Sequence, residues 1–326
     1  MLSPKIKTLI SSSFLLIFSS SLSLLGAEVF LRVKNSGMDN YDIEMWRYSN
    51  LLKRKSPNEV MDFEHQKNKK AKLQNVEIRI NNMGLRGEDI SELKTTKRRI
   101  LFLGGSITLG WGVEEEYVLT SKLQKMFDDF DLDVEVLNAG IGNYNASRYV
   151  TRYFNNLDKL KPTDIVVHYF LRDAENLLPA KQNFLLKNSQ LAVTNWTAFN
   201  RLFNKSGENS LVKHYQNIYK KNNEGFIKMK ENLALLANFS RKNNINIYLI
   251  MTPDITNLKD YKFSFIHEIM MGLSKELGYK YADTLPSFLG IDFEDLYAMP
   301  GDPHPNRRGH QIIADIAFPL LIENKK

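Results

Sequence analysis

Ser106 follows two glycines, Gly104 and Gly105, directly after the apolar run Ile100-Leu101-Phe102-Leu103. A serine where a buried strand turns toward a helix has an exposed hydroxyl, and its backbone N–H is free to join an anion site. Gly-Ser pairs are also common in plain turns, where the serine only caps. Near the C terminus stands Asp302-Pro303-His304-Pro305. The prolines keep this stretch extended, so the side chains of Asp302 and His304, at i and i+2, point the same way. A carboxylate so placed fixes the imidazole tautomer and stabilises the imidazolium, its task in a Ser-His-Asp triad. His304 and His310 are alternatively a pair of metal ligands, although no H-E-x-x-H pattern accompanies them. The same block also reads as a helix cap with surface histidines.

Ser106 and the Asp302/His304 pair are independent signals in a workable chain order. Together they predict a serine nucleophile with His304 as general base and Asp302 as its orienting acid, suited to acyl transfer. That chemistry requires no metal and no organic cofactor. An anion loop over residues 104–112 is the rival, but it lacks the Gly-Lys-Ser/Thr ending of a phosphate loop and leaves Asp302 and His304 unexplained.

The elements that must position these residues are legible from residue 100 onward. Short apolar runs at 100–103, 134–137, 165–170, 245–251 and 279–283 read as buried strands. Amphipathic stretches at 118–129, 146–158, 225–243, 263–277 and 305–323 read as helices, the last with Pro305 near its first position. The alternation predicts a three-layer α/β/α, flavodoxin-like domain on a parallel five-stranded sheet, with ligands bound beyond the carboxyl ends of the strands. Residues 177–224 read as a long irregular insertion, a form common in lids and binding loops. Its aromatics and their neighbours (Phe184, Trp196, Phe199, Phe203, Tyr215, Tyr219) either pack the insertion onto the domain or stack on sugar rings.

This pattern resembles the SGNH/GDSL hydrolase superfamily over about residues 75–320. Ser106-Ile107-Thr108-Leu109-Gly110-Trp111-Gly112-Val113 is similar to its nucleophile block, with Gly105 where an aspartate is usual. Asn138-Ala139-Gly140-Ile141-Gly142-Asn143 is similar to its second block. Phe170-Leu171-Arg172-Asp173 is similar to the third, with Arg172 in place of the usual asparagine. Asn81-Asn82-Met83-Gly84-Leu85-Arg86 looks like a segment found in membrane-anchored bacterial members. The resemblance implies an oxyanion hole from the N–H of Ser106 and an N–H near Gly142 and Asn143, with Arg172 or Asn176 standing in for the missing amide. The D-x-H spacing resembles bacterial polysaccharide O-acetyl esterases and acetyltransferases. The implied substrate is therefore an acylated cell-envelope or exopolysaccharide glycan, or a small ester. Arg172 motivates the rival of a weakly active, glycan-binding protein on the same fold.

Ahead of this domain, Lys5 and Lys7 precede an uncharged stretch of twenty residues, 8–27. Its length and basic flank predict a cytoplasmic N terminus and an exported remainder. Residues 1–34 are therefore expected to be an uncleaved signal anchor in a bacterial inner membrane, in preference to a cleaved signal peptide. Residues 35–98 read as an extracytoplasmic linker and accessory segment, 35–74 being poor in periodic pattern, and residues 99–326 as the catalytic domain. The chain has 326 residues, 43% apolar and 25% charged, and no cysteine, which excludes disulfides, thiolate zinc sites and thiol catalysis. Its net charge of +7 comes from scattered basic residues and reads as a solvated surface. Nucleic-acid binding would rest on that charge alone, and export argues against it.

Overall fold

A computed structural model describes residues 3–179, 183–203, 208–300 and 302–322. Contacts divide the chain into two compact units, residues 1–47 with 181–205, and residues 48–180 with 206–326. In chain order the helices are α1 Pro4–Lys34, α2 Tyr41–Leu52, α3 Ser106–Leu109, α4 Leu119–Asp129, α5 Ala146–Arg152, α6 Phe184–Asn188, α7 Gln190–Phe203, α8 Glu208–Ile218, α9 Glu224–Lys242, α10 Ser264–Leu277, α11 Leu285–Phe288 and α12 Arg307–Ile322. The strands are β1 Lys53–Lys55, β2 Phe63–His65, β3 Lys69–Leu73, β4 Val76–Ile80, β5 Arg98–Gly104, β6 Val134–Asn138, β7 Asp164–Phe170, β8 Asn246–Thr252 and β9 Lys280–Asp283.

The larger unit is built on a five-stranded sheet in the order β6-β5-β7-β8-β9, every neighbouring pair parallel. Counting only these strands, the order is 2-1-3-4-5, the doubly wound flavodoxin-like arrangement. Side chains of β5 alternate between two cores. Ile100 and Phe102 pack with Leu119, Leu123 and Phe127 of α4 and with Ile313 and Ala317 of α12. Leu101 and Leu103 pack with Tyr149 of α5, Leu233 of α9 and Ile266 of α10. A strand covered on both faces needs such an uninterrupted apolar run, which is why β5 and β7 read so plainly in the sequence. The five expected strands are all present, each within two residues of the expected ends. The α/β architecture implied by the resemblance is therefore the one found.

Two expectations are corrected, the start of the last helix and the irregularity of the insertion. The helix expected from 305 begins at Arg307. Pro305 precedes it, and Asn306 caps it, its Oδ1 accepting the N–H groups of Arg308 at 2.9 Å and Gly309 at 3.2 Å. Residues 35–74 are ordered, because α2 and two antiparallel hairpins occupy the stretch from 41 to 80. The insertion is helical, carrying α6, α7 and α8; residues 180–182 and 204–207, like Gly301, lie outside the described residues.

The hairpin β3–β4 is continued by Arg86, whose N–H donates to the Asn138 carbonyl at 3.1 Å on the edge strand β6. The buried Arg86 guanidinium donates to the carbonyls of Leu109, Gly110 and Val113, each at 2.6 Å. Burial lowers its pKa to about 10, so it stays charged at neutral pH. The Asn-Asn-Met-Gly-Leu-Arg segment thus ends on a cation that ties together the backbone after the nucleophile turn.

In the smaller unit α1 is long and apolar enough to cross a membrane, and none of its most apolar window is buried.

Candidate active site

The site forms at the carboxyl end of β5, where the neighbouring strands β6 and β7 lead off in opposite directions. Gly104 leaves the strand under tight sterics. A Cβ there would lie 2.0 Å from Thr108 Oγ1 and 2.8 Å from the His168 carbonyl oxygen. Gly105 caps α3, and Ser106 is its first residue. A Cβ at Gly105 would approach the Tyr144 carbonyl to 3.2 Å.

Ser106 Oγ is 2.7 Å from His304 Nε2, and His304 Nδ1 is 2.5 Å from Asp302 Oδ1. The same carboxylate oxygen accepts the His304 backbone N–H at 2.9 Å. Asp302 is fully buried and His304 nearly so. The loop bearing them is held by backbone bonds, Ala298 N–H to the His304 carbonyl at 2.8 Å and Asn306 N–H to the Leu296 carbonyl at 2.6 Å. A serine remote in sequence is therefore hydrogen-bonded to the histidine, and through it to the neighbouring aspartate.

The other oxygen of Asp302 has a partner that sequence reasoning missed. Gln74 Nε2 donates to Asp302 Oδ2 at 2.9 Å from the tip of hairpin β3–β4. Gln74 and Asn75 both have positive φ, 49° and 63°, the conformation of a two-residue type I′ turn. The register of alternating Lys69-Lys70-Ala71-Lys72-Leu73 against the strand from Val76 was the available signal.

The second block wraps the nucleophile turn. Asn138 Nδ2 donates to the Thr108 carbonyl at 2.7 Å, and its Oδ1 accepts the Gly140 N–H at 3.0 Å. Gly142 is pinned from both sides. Its N–H donates to Tyr48 Oη at 3.0 Å, and its carbonyl accepts Lys53 Nζ at 2.7 Å. Neither Tyr48 nor Lys53 was singled out in the sequence. Lys53 also lies over the rings of Tyr48 and Phe63, 4.3 and 4.0 Å from their centroids, and burial lowers its pKa. Asn143 follows in the left-handed region at φ 65°. Among the described residues, the N–H groups of Ser106 and Asn143 donate to no protein acceptor. Of the two second-block positions, Gly142 has a committed N–H and Asn143 an uncommitted one.

The remaining expected donors are engaged elsewhere. Arg172 is exposed and pairs with Glu175, Nη2 to Oε2 at 3.1 Å. Asn176 donates to Glu224 at 2.9 Å. Asp173, next to Arg172, is buried and accepts the Phe170 N–H at 3.2 Å; burial raises its pKa well above the usual carboxylate range. His310 is buried, its Nδ1 accepting the Leu119 N–H at 3.1 Å. Next to α3, His168 links Thr108 Oγ1 at 3.0 Å to Thr252 Oγ1 at 2.7 Å, and burial lowers its pKa to about 3. Among the insertion's aromatics, Tyr215 and Tyr219 are buried in the core, whereas Phe184, Trp196 and Phe199 are exposed.

No protein-family model matches the chain, and no curated protein matches it in sequence. Solved structures with a similar fold include the psychrotrophic esterase EstA from Pseudoalteromonas sp., 18% identical over 70% of this chain and 98% of that one, with a TM-score of 0.43. Another is Axe2, an acetylxylan esterase from Geobacillus stearothermophilus, 16% identical over 69% of this chain and 94% of that one, with a TM-score of 0.46. A third is TesA, 15% identical over 69% and 98% respectively, with a TM-score of 0.46.

Proposed function

We propose that this chain is an SGNH/GDSL-type serine hydrolase that cleaves or transfers acyl groups, acetyl foremost, on cell-envelope or exopolysaccharide glycans. The observation that carries the reading is the hydrogen-bonded chain Ser106–His304–Asp302 at the carboxyl end of β5.

In this mechanism His304 Nε2 removes the proton from Ser106 Oγ as the oxygen attacks the ester carbonyl. Asp302 holds the imidazole with Nδ1 protonated and stabilises the imidazolium. Negative charge on the carbonyl oxygen is met by the N–H groups of Ser106 and Asn143. Each donor of such a hole is worth about 10²–10³ in rate. The imidazolium then protonates the departing alcohol oxygen, leaving acyl-Ser106. A water molecule or a sugar hydroxyl, deprotonated by His304, takes the acyl group and regenerates the serine. Both outcomes share the acyl-enzyme, so one site serves hydrolysis and transfer.

The glycan assignment rests on the D-x-H spacing and on α1, which supports retention of the enzyme at the membrane, at the outer face of a bacterial inner membrane. The competing reading is a glycan-binding protein without turnover, favoured by Arg172 in the slot of the usual amide and by its pairing with Glu175.

Burst kinetics with p-nitrophenyl acetate on the purified full chain test the proposal. A burst equal to the enzyme concentration, lost in Ser106→Ala and His304→Ala, is the expected result. A wild type as silent as Ser106→Ala, toward this ester and toward acetylated polysaccharide alike, leaves only the binding reading.

A further inference from the structure

Within the smaller unit α7 of the insertion packs against the N-terminal helix, and α6 packs against α7. The attachment is polar and specific. The Glu28 carboxylate of α1 accepts Ser189 Oγ at 2.8 Å and the backbone N–H groups of Gln190 and Leu191 at 3.0 and 2.9 Å. These are first-turn groups that a helix leaves unsatisfied, so a side chain some 160 positions away caps α7. Arg32 pairs with the same carboxylate at 2.7 Å and donates to the Asn188 carbonyl at 3.1 Å. Asn35 Nδ2 donates to Gln190 Oε1 at 3.0 Å.

This attachment fixes the level of α7 along α1. The uncharged stretch 8–27 ends at Glu28. Twenty helical residues cover about 30 Å, the thickness of a bilayer's hydrocarbon core. Glu28 then stands at the headgroup boundary, and α7 starts at that level. Leu191 and Ala192 face Leu24 and Leu25 across a shallow groove, so the first turns of α7 lie beside the end of the uncharged stretch.

At this level the outer surface of α7 is apolar. Trp196, Phe199 and Leu202, spaced three residues apart, are 53%, 53% and 70% exposed, and Phe184 and Leu185 of α6 are more than half exposed as well. Soluble surfaces seldom carry so contiguous an apolar stripe. Tryptophan and phenylalanine beside a basic helix end are the composition of an interfacial element.

We infer that α6 and α7 form an amphipathic pair lying in the lipid headgroup–acyl boundary, so that the chain holds the bilayer by an interfacial helix as well as by a span. The inference rests on reading α1 as a membrane span. Its partner is the lipid surface itself, chosen because the stripe continues from a helix whose large apolar side chains from Ile6 to Leu25 are exposed.

The chain has no cysteine, so single cysteines label uniquely. Phe199→Cys, Trp196→Cys and, separately, Phe14→Cys in the full chain would carry a nitroxide after reconstitution in 3:1 phosphatidylcholine–phosphatidylglycerol vesicles. Relaxation by oxygen against a water-soluble nickel complex reads depth. The expected result is a deep Phe14 position and shallow, lipid-contacting positions at 196 and 199. Aqueous values at 196 and 199 beside a deep Phe14 position overturn the inference and leave the span standing. An aqueous Phe14 position removes the span and the inference with it. Spin–spin broadening at 199 without lipid contact assigns the stripe to a second copy of the chain and also overturns it.

Discussion

Tyr48 accepts the N–H of Gly142 at 3.0 Å and meets Nε2 of His65 at 2.7 Å. With one proton on the phenol, the hydroxyl donates to His65, whose Nδ1 then donates to the Gly84 carbonyl at 3.3 Å. Burial, with Arg152 and Lys53 nearby, lowers the His65 pKa and holds the ring in the neutral form this relay needs. The relay thus runs from the loop beside the oxyanion site to the hairpin segment that precedes the sheet. The next N–H, at Asn143, is left without a protein acceptor among the described residues, which is the donor the proposed mechanism uses.

Tyr48→Phe should orphan a buried N–H and cost about 1–3 kcal/mol of stability. If the relay aims the loop, kcat should also fall about tenfold with KM nearly unchanged, since the ground state does not use the hole. Urea melts and steady-state kinetics on one preparation separate the two effects. A variant destabilised but fully active would assign Tyr48 to folding alone.

Gln74→Leu removes the donor to the second oxygen of Asp302 while keeping similar volume. The carboxylate then loses a hydrogen bond to a charged group, worth about 1.5–3 kcal/mol, and kcat should drop by about tenfold or more. Gln74→Asn is too short to restore it. Unchanged turnover in Gln74→Leu would show that Asp302 is positioned without the hairpin.

Asn143 and Arg172 make opposite predictions. Asn143→Gly keeps the left-handed backbone and should retain activity. Asn143→Val strains it by about 1–2 kcal/mol and should lose activity. Arg172→Ala should change kcat less than about threefold if two backbone N–H groups make up the hole. A loss of about 10² on removing Arg172 would instead give the guanidinium an oxyanion role.

His168 sets an acid limit. Its folded pKa of about 3 lies below the ordinary value of 6.5, so between these pH values the unfolded state binds the extra proton. Stability is therefore full above pH 6.5 and is lost as pH falls toward 3, by up to about 3 kcal/mol at pH 4 from this residue alone. His65 and His310, both lowered by burial, act in the same direction. Urea midpoints at pH 7 and pH 4.5 should converge in His168→Gln relative to the wild type. Parallel acid losses in both proteins would place the sensitivity elsewhere.

What the sequence disclosed and what it hid follow from the range of the forces involved. The strands β5 and β7 are buried on both faces, and their apolar runs announce this without reference to any partner. Ser106, Asp302 and His304 were legible because each sits at a local oddity of the chain, two glycines before the one and two prolines around the others. Tyr48, Lys53 and Gln74 reach the site through contacts 89 to 228 positions away, and nothing beside them marks those contacts. The same holds for α7, whose start is capped by Glu28 from another helix instead of by its own neighbours. Arg172 was marked by its motif slot alone, and its pairing with Glu175 three residues on could not be read from that slot.

Gln74, Ser106 and the Asp302/His304 loop come from the early, middle and last parts of the chain, with 198 positions between nucleophile and base. A nascent chain that has already laid down β5 through β9 carries an exposed serine with no base beside it. Under the proposed mechanism the hydroxyl would gain its reactivity only once the loop bearing Asp302 and His304 is in place. Synthesis would then act as its own safety catch, since a product that stops after β9 would hold every strand of the sheet and yet lack the base.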